Sequence, residues 1–163
     1  AQPVYDCVNA VKNGRDIPVI FFTPRGETFN TKISRKYSEY DEVILLCGHF
    51  EGIDKRAVDL CVTDEISMGD YIVTGGHIPA MCFIDSVSRY IPGVLGNMVS
   101  MTDESFEHGL LEYDQYTRPY EFMGLKVPDI LLSGNHGEIK KYLREQSLRI
   151  TEQLRPDLLE DDE

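Results

Sequence analysis

The residues best placed for chemistry in this chain are glycines rather than acids or nucleophiles. Three Gly-containing loops each stand where an apolar segment ends: TPRG (23–26), GHFEG (48–52) and SMGDYIVTGG (67–76). Glycine lets backbone amides and carbonyls approach a flat ligand closely. In an open parallel sheet, loops beyond the carboxyl ends of the strands are where ligands bind. Each loop alone is better explained as a turn; together they predict a ligand site beyond the strand ends. None has the GxxxxGK[ST] phosphate-loop pattern and there is no GxGxxG, which disfavours phosphate transfer and dinucleotide binding. Cys7, Cys47, Cys61 and Cys82 form no CxxC pair and no metal-ligand spacing, so they are expected to be buried, reduced thiols.

The elements that position these loops follow from periodicity. Val4, Cys7, Val8 and Val11 have helical spacing over residues 3–12. Ile17 to Phe22 is a β-branched and aromatic run, closed by the TPRG loop. A polar helix is expected over 30–39, a strand over Val43 to Cys47, a short helix over 53–61 and a strand or extended segment over Glu65 to Met68. A further helix spans 79–90, with Pro79 in its first turn and Pro92-Gly93 after it. The alternation predicts an α/β fold, a mostly parallel sheet covered by helices on both faces. Residues 97–107 read as a polar linker or mobile loop. Beyond it a helix is expected over 136–154, with Ile139, Leu143, Ile150 and Leu154 on one face and Lys140, Lys141 and Arg144 pointing away.

The chain has 163 residues, 42% hydrophobic and 27% charged, enough apolar material for a core without disulfide or metal staples. No apolar run approaches the length of a membrane span, and Ala1-Gln2-Pro3-Val4 is not signal-peptide-like, so a cytoplasmic protein without a membrane partner is expected. The absence of an initiator Met leads us to expect that the natural N-terminus lies upstream. A net charge of −12 speaks against a nucleic-acid partner, yet Lys140 to Arg155 holds five basic residues against two Glu, a local basic surface on an acidic body.

Five segments, in order and over nearly the whole chain, resemble the signatures of the bacterial tRNA (guanine-N1)-methyltransferases. They are CGHFEGIDKR (47–56), ISMGDYIVTGGHIPAM (66–81), IDSVSRYIPGVLGN (84–97), YTRP (116–119) and VPDILLSGNHGEI (127–139). That family belongs to the SPOUT class of knotted methyltransferases. The resemblance implies a deep trefoil knot near residues 67–95, an obligate homodimer with shared active sites, and a tRNA substrate methylated at N1 of the guanosine 3′ of the anticodon. It divides the chain into a knotted S-adenosylmethionine-binding domain (1–96, its N-terminal part missing), a linker (97–107) and the start of a small helical tRNA-binding domain (108–163, truncated).

By the same resemblance, Gly48 and Glu51, with Met68, Gly69, Asp70, Tyr71, Ile72 and Val73, line the donor's adenosine, and Phe22, Phe50, Gly75 and Gly76 shape the pocket. Guanine N1 carries a proton, so the reaction needs a base and a cation for charge developing toward O6. Arg89 matches the family's arginine. The family's base is an Asp just before Ser-Phe; here Glu104 holds that position and Asp103 precedes it, so either carboxylate could serve, with Glu104 favoured. Arg118, Lys140, Lys141 and Arg144 are candidate phosphate contacts. The family implies magnesium, but the sequence offers no dedicated carboxylate cage and no metal ligand is assigned. Two other readings stay open: a knotted methyltransferase for another RNA base, and a module that binds the donor without catalysis.

Overall fold

The computed structural model of the chain describes residues 1–49, 51–94 and 104–160. They fall into two compact units, Ala1–Gly96 and Asn97–Glu163.

The first unit is a parallel three-stranded sheet of order β2-β1-β3, with β1 (Val19–Thr28), β2 (Ile44–Leu46) and β3 (Asp64–Ser67). Helices α1 (Gln2–Lys12), α2 (Thr31–Ser38), α3 (Lys55–Cys61) and α4 (His77–Ser88) complete it. Side chains alternate across β1 because the strand period is two. Val19 packs with Val8 of α1 and Cys61 of α3, while Ile20 and Phe22 pack with Ile33 and Tyr37 of α2 and Ala80, Phe83 and Val87 of α4. The sheet is therefore covered on both faces. Full burial of an aliphatic side chain such as Val19 or Ile20 stabilises by about 1.5–3 kcal/mol.

Local chemistry sets the helix boundaries. The Asn30 side chain accepts from the Ile33 amide at 3.0 Å and caps α2. Asp54 caps α3 in the same way, accepting from the Arg56 amide at 2.9 Å. The α4 helix starts two residues before the expected position, because the Gly76 carbonyl accepts from Ala80 at 3.0 Å and brings His77 and Ile78 into the first turn. A hydroxyl pair, Ser34 to Ser86 at 2.7 Å, ties α2 to α4.

Two expectations need correction. Thr23-Pro24-Arg25-Gly26 does not end its strand: Phe22 and Glu27 both pair with Ile66, so the four residues form an excursion within β1 that returns to the same partner. Pro24 cannot donate to a ladder, which favours such an excursion. Of the cysteines, Cys61 is buried, but Cys7, Cys47 and Cys82 are exposed. Cys7 and Cys82 lie on outward helix faces, and Cys47 follows β2 rather than lying inside it.

The second unit holds a small antiparallel hairpin, β4 (Glu121–Phe122) with β5 (Leu125–Lys126), and α5 (His136–Leu154) flanked by short 3-10 turns at Asp129–Leu132 and Pro156–Leu159. The bounds of α5 are those expected, and Asn135 caps it through the Glu138 amide. Its most buried side chains are Ser147 and Thr151 rather than the aliphatics. Ile139, Leu143 and Ile150 are half-buried, and Leu154, the last helical residue, is 68% exposed because the chain that covers α5 crosses at Thr151. Of the expected linker, 97–103 lies outside the described residues, and 104–107 begins a tightly bonded turn rather than an open one.

Candidate functional site

The three glycine loops meet. A cavity of about 440 Å³ opens where β1, β2 and β3 end or break, a size suited to a nucleoside-like ligand. Gly76 donates to the Gly48 carbonyl at 3.0 Å, and His49 bridges Gly75, which fastens the second loop to the third. Within the third loop the Ser67 hydroxyl accepts from the Gly69 amide at 3.2 Å, and Tyr71 donates to the Gly69 carbonyl at 2.9 Å. Gly69 has φ +121°, a conformation strained for any side chain, which explains its residue type. Gly76 is required for a different reason. A Cβ there would lie 2.7 Å from Cys47 Cα, so the two loops close only over a bare backbone.

Among the residues expected at the donor site, Phe22, Gly48, Glu51, Met68, Gly69, Tyr71, Ile72, Val73, Gly75 and Gly76 line this cavity. Asp70 is exposed and does not line it, and Phe50 lies outside the described residues. Sequence reasoning missed Phe21, Thr23, Pro24, His49, Gly52, Ile66, Ser67, Thr74 and Pro79 as lining residues. Thr23, Pro24, His49, Gly52, Ser67 and Thr74 lie inside the glycine loops, so loop membership was a usable signal; for Phe21, Ile66 and Pro79 there was none. Tyr71 and Ile72 are 60% and 82% exposed although they line the cavity, which leaves an apolar edge available to a bound ring. The Asp54-Lys55-Arg56 stretch that follows the second loop serves the fold rather than the cavity. There the Arg56 side chain and backbone amide hold the Asp54 carboxyl well below the usual carboxylate range and secure the start of α3.

Arg89 is the C-cap residue of α4 and does not line the cavity. Glu104 is half-buried in the second unit, where its carbonyl accepts from Glu107, and Asp103 lies outside the described residues. Lys140, Lys141 and Arg144 are exposed on α5; Arg144 is three and four residues from the two lysines, so the three share a surface. Arg118 is exposed and precedes a cis proline. Among the described residues no group of three His, Cys, Asp or Glu side chains could hold a metal ion, and no helix is long and apolar enough to cross a membrane.

Comparison with known proteins places this geometry. The model of the family described as tRNA (Guanine-1)-methyltransferase TrmD matches residues 1–161. A tRNA (guanine-N(1)-)-methyltransferase of Clostridioides difficile is 52% identical over 160 residues, covering 96% of this chain and 69% of the relative. Enzymes of the same name from Caldicellulosiruptor saccharolyticus and Geobacter sulfurreducens are 50% and 51% identical, each over 159 residues. They cover 98% and 97% of this chain but 64% and 65% of the relatives, so the chain spans about two thirds of their length. A match of this extent settles the family: the chain belongs to the tRNA (guanine-1)-methyltransferases.

Proposed function

We propose that the protein transfers a methyl group from S-adenosylmethionine to N1 of the guanosine 3′ of a tRNA anticodon. The carrying observation is the convergence of three glycine loops on one cavity. The lining fits the donor chemically. Phe22, Met68, Ile72, Val73 and Pro79 offer apolar contact to the faces of an adenine. When bound, a sulfonium supplies an electrophilic methyl group.

The chain's own residues then act on the target base. Glu104, in the role of base, accepts the N1 proton, and Arg89 stabilises the charge that moves toward O6. The guanine stacks in the anticodon loop and has to be flipped out to be reached. Arg118, Lys140, Lys141 and Arg144 hold phosphates, which assigns tRNA binding to the second unit. No cluster among the described residues fits magnesium, and the proposed reaction takes no step through it.

The proposal includes the knot near residues 67–95, a cytoplasmic location and a homodimer with shared sites. Support for the dimer comes from α4, which is apolar on both faces. Phe83 and Val87 face the core while Ile78, Met81 and Ile84 are 51%, 68% and 56% exposed. Such a face calls for a partner surface, and a second copy supplies it with two-fold symmetry. Met81→Glu is expected to shift the complete protein from dimer to monomer in sedimentation velocity; a dimer of unchanged affinity would remove α4 from the interface.

Single-turnover methylation of a tRNA transcript, with the product base mapped, tests the reaction. Arg89→Ala removes a charge needed mainly in the transition state, so the rate constant should fall about a hundredfold. Donor affinity by calorimetry should change less than about twofold. Donor binding without transfer by the wild-type protein would favour a binding module instead.

A further inference from the structure

We propose that Thr151 and Arg155, one turn apart at the end of α5, are positioning residues that set the backbone carrying Glu104. The inference rests on the reading of Glu104 as the base.

Residues 105–112 form a closed loop. The Ser105 hydroxyl accepts from the Glu112 amide at 2.8 Å, and Phe106 donates to the Leu110 carbonyl at 2.7 Å. At the foot of this loop the Glu104 carbonyl accepts from Glu107. Phe106 has φ 75°, an uncommon conformation for a bulky residue, which persists only where the surroundings over-determine it.

The surroundings are on α5. Thr151 is fully buried; its hydroxyl accepts from the Leu111 amide at 2.8 Å and donates to the Ser147 carbonyl at 2.7 Å. Arg155 donates its amide to the Thr151 carbonyl at 2.8 Å, and its guanidinium lies 5.9 Å from the centre of the Phe106 ring, in cation–π range. Asp157 holds that guanidinium at 2.6 Å. The loop is thus clamped at Leu111 by a buried hydroxyl and at Phe106 by a fixed cation. Glu104 is two residues from the second clamp. A buried threonine in a stripe otherwise suited to aliphatics has a use here that packing alone would not require.

The test uses the complete protein and a tRNA transcript under single-turnover conditions. Thr151→Val keeps shape but leaves the Leu111 amide without its acceptor. It should lower the methyl-transfer rate constant about thirtyfold, within the range that small misplacement of a reacting group produces. Donor affinity should stay within about twofold. Thr151→Ser, which keeps the hydroxyl, should restore the rate to within about threefold of wild type. If Thr151→Val does not fold, Arg155→Gln on the exposed side of the clamp carries the test, with an expected loss of about threefold. In a Glu104→Gln background, Thr151→Val should slow the reaction no further, since both act through one group. A Glu104→Gln protein of wild-type rate would overturn the base and the positioning together. A slow Glu104→Gln protein with Thr151→Val at wild-type rate, or with the two losses multiplying, would overturn the positioning alone. Thr151→Ser as slow as Thr151→Val would do the same.

Discussion

Glu104→Gln is expected to lower single-turnover methyl transfer roughly a thousandfold while donor binding is retained. Guanine N1 is a poor nucleophile until its proton leaves, and a positioned general base contributes about 10²–10⁴-fold to such a step. Gln keeps the size and hydrogen-bonding shape of Glu but cannot accept the proton. Glu104→Asp shortens the side chain to the residue found before Ser-Phe in the family pattern, and activity should persist. Two adjacent carboxylates, Asp103 and Glu104, make the register a question that one control answers. If Asp103→Asn abolishes transfer and Glu104→Gln does not, Asp103 is the base.

Gly26→Ala should leave little folded protein. An added Cβ would lie 2.3 Å from the carbonyl carbon and oxygen of Glu65 and 2.4 Å from the Ile66 nitrogen. These are main-chain atoms of β3, paired to β1 on both sides of the excursion, so they cannot turn aside as a side chain could. Losses above about 4 kcal/mol are exceptional and come from a short list of causes, of which forced overlap in a packed region is one. Urea denaturation should show a collapse of the midpoint or no cooperative transition at all. Gly52→Ala is the comparison. Gly52 has φ +125° but nothing within 4 Å of its would-be Cβ, so it tests strain without collision and should cost far less. A Gly26→Ala protein as stable as Gly52→Ala would show that the excursion opens easily.

Much of this was legible in the residues, for reasons that differ by element. The bounds of α5 could be read because an Asn cap and a clean polar face agree over nineteen residues. What its periodicity concealed was the use of Thr151, since a hydroxyl that serves a distant backbone amide looks like surface until Leu111 is seen bonded to it. The donor loops were legible because glycines marked them. The return of β1 after Gly26 was not, because Pro24 and Gly26 carry the same signal whether a strand ends or steps aside. The cysteines misled because an apolar neighbourhood in sequence does not say which way a helical side chain points. Phe50 and Asp103 fall outside the described residues. For Arg89 and Glu104, only the family resemblance distinguishes them from ordinary surface charge.

A cavity closed by glycine loops changes what inhibition and escape from it would look like. Every residue except proline presents the same N–H and C=O, so a compound whose hydrogen bonds go to the backbone of 48–49 and 67–76 meets a surface that most substitutions leave unaltered. Among the positions whose replacement would reshape that surface are the glycines. A side chain at 76 would drive its Cβ into Cys47, and one at 69 would sit in a conformation it resists. Resistance by point mutation to such a compound would arise more readily at side chains that line the cavity, such as Tyr71 and Ile72 at the exposed rim, than at these glycines.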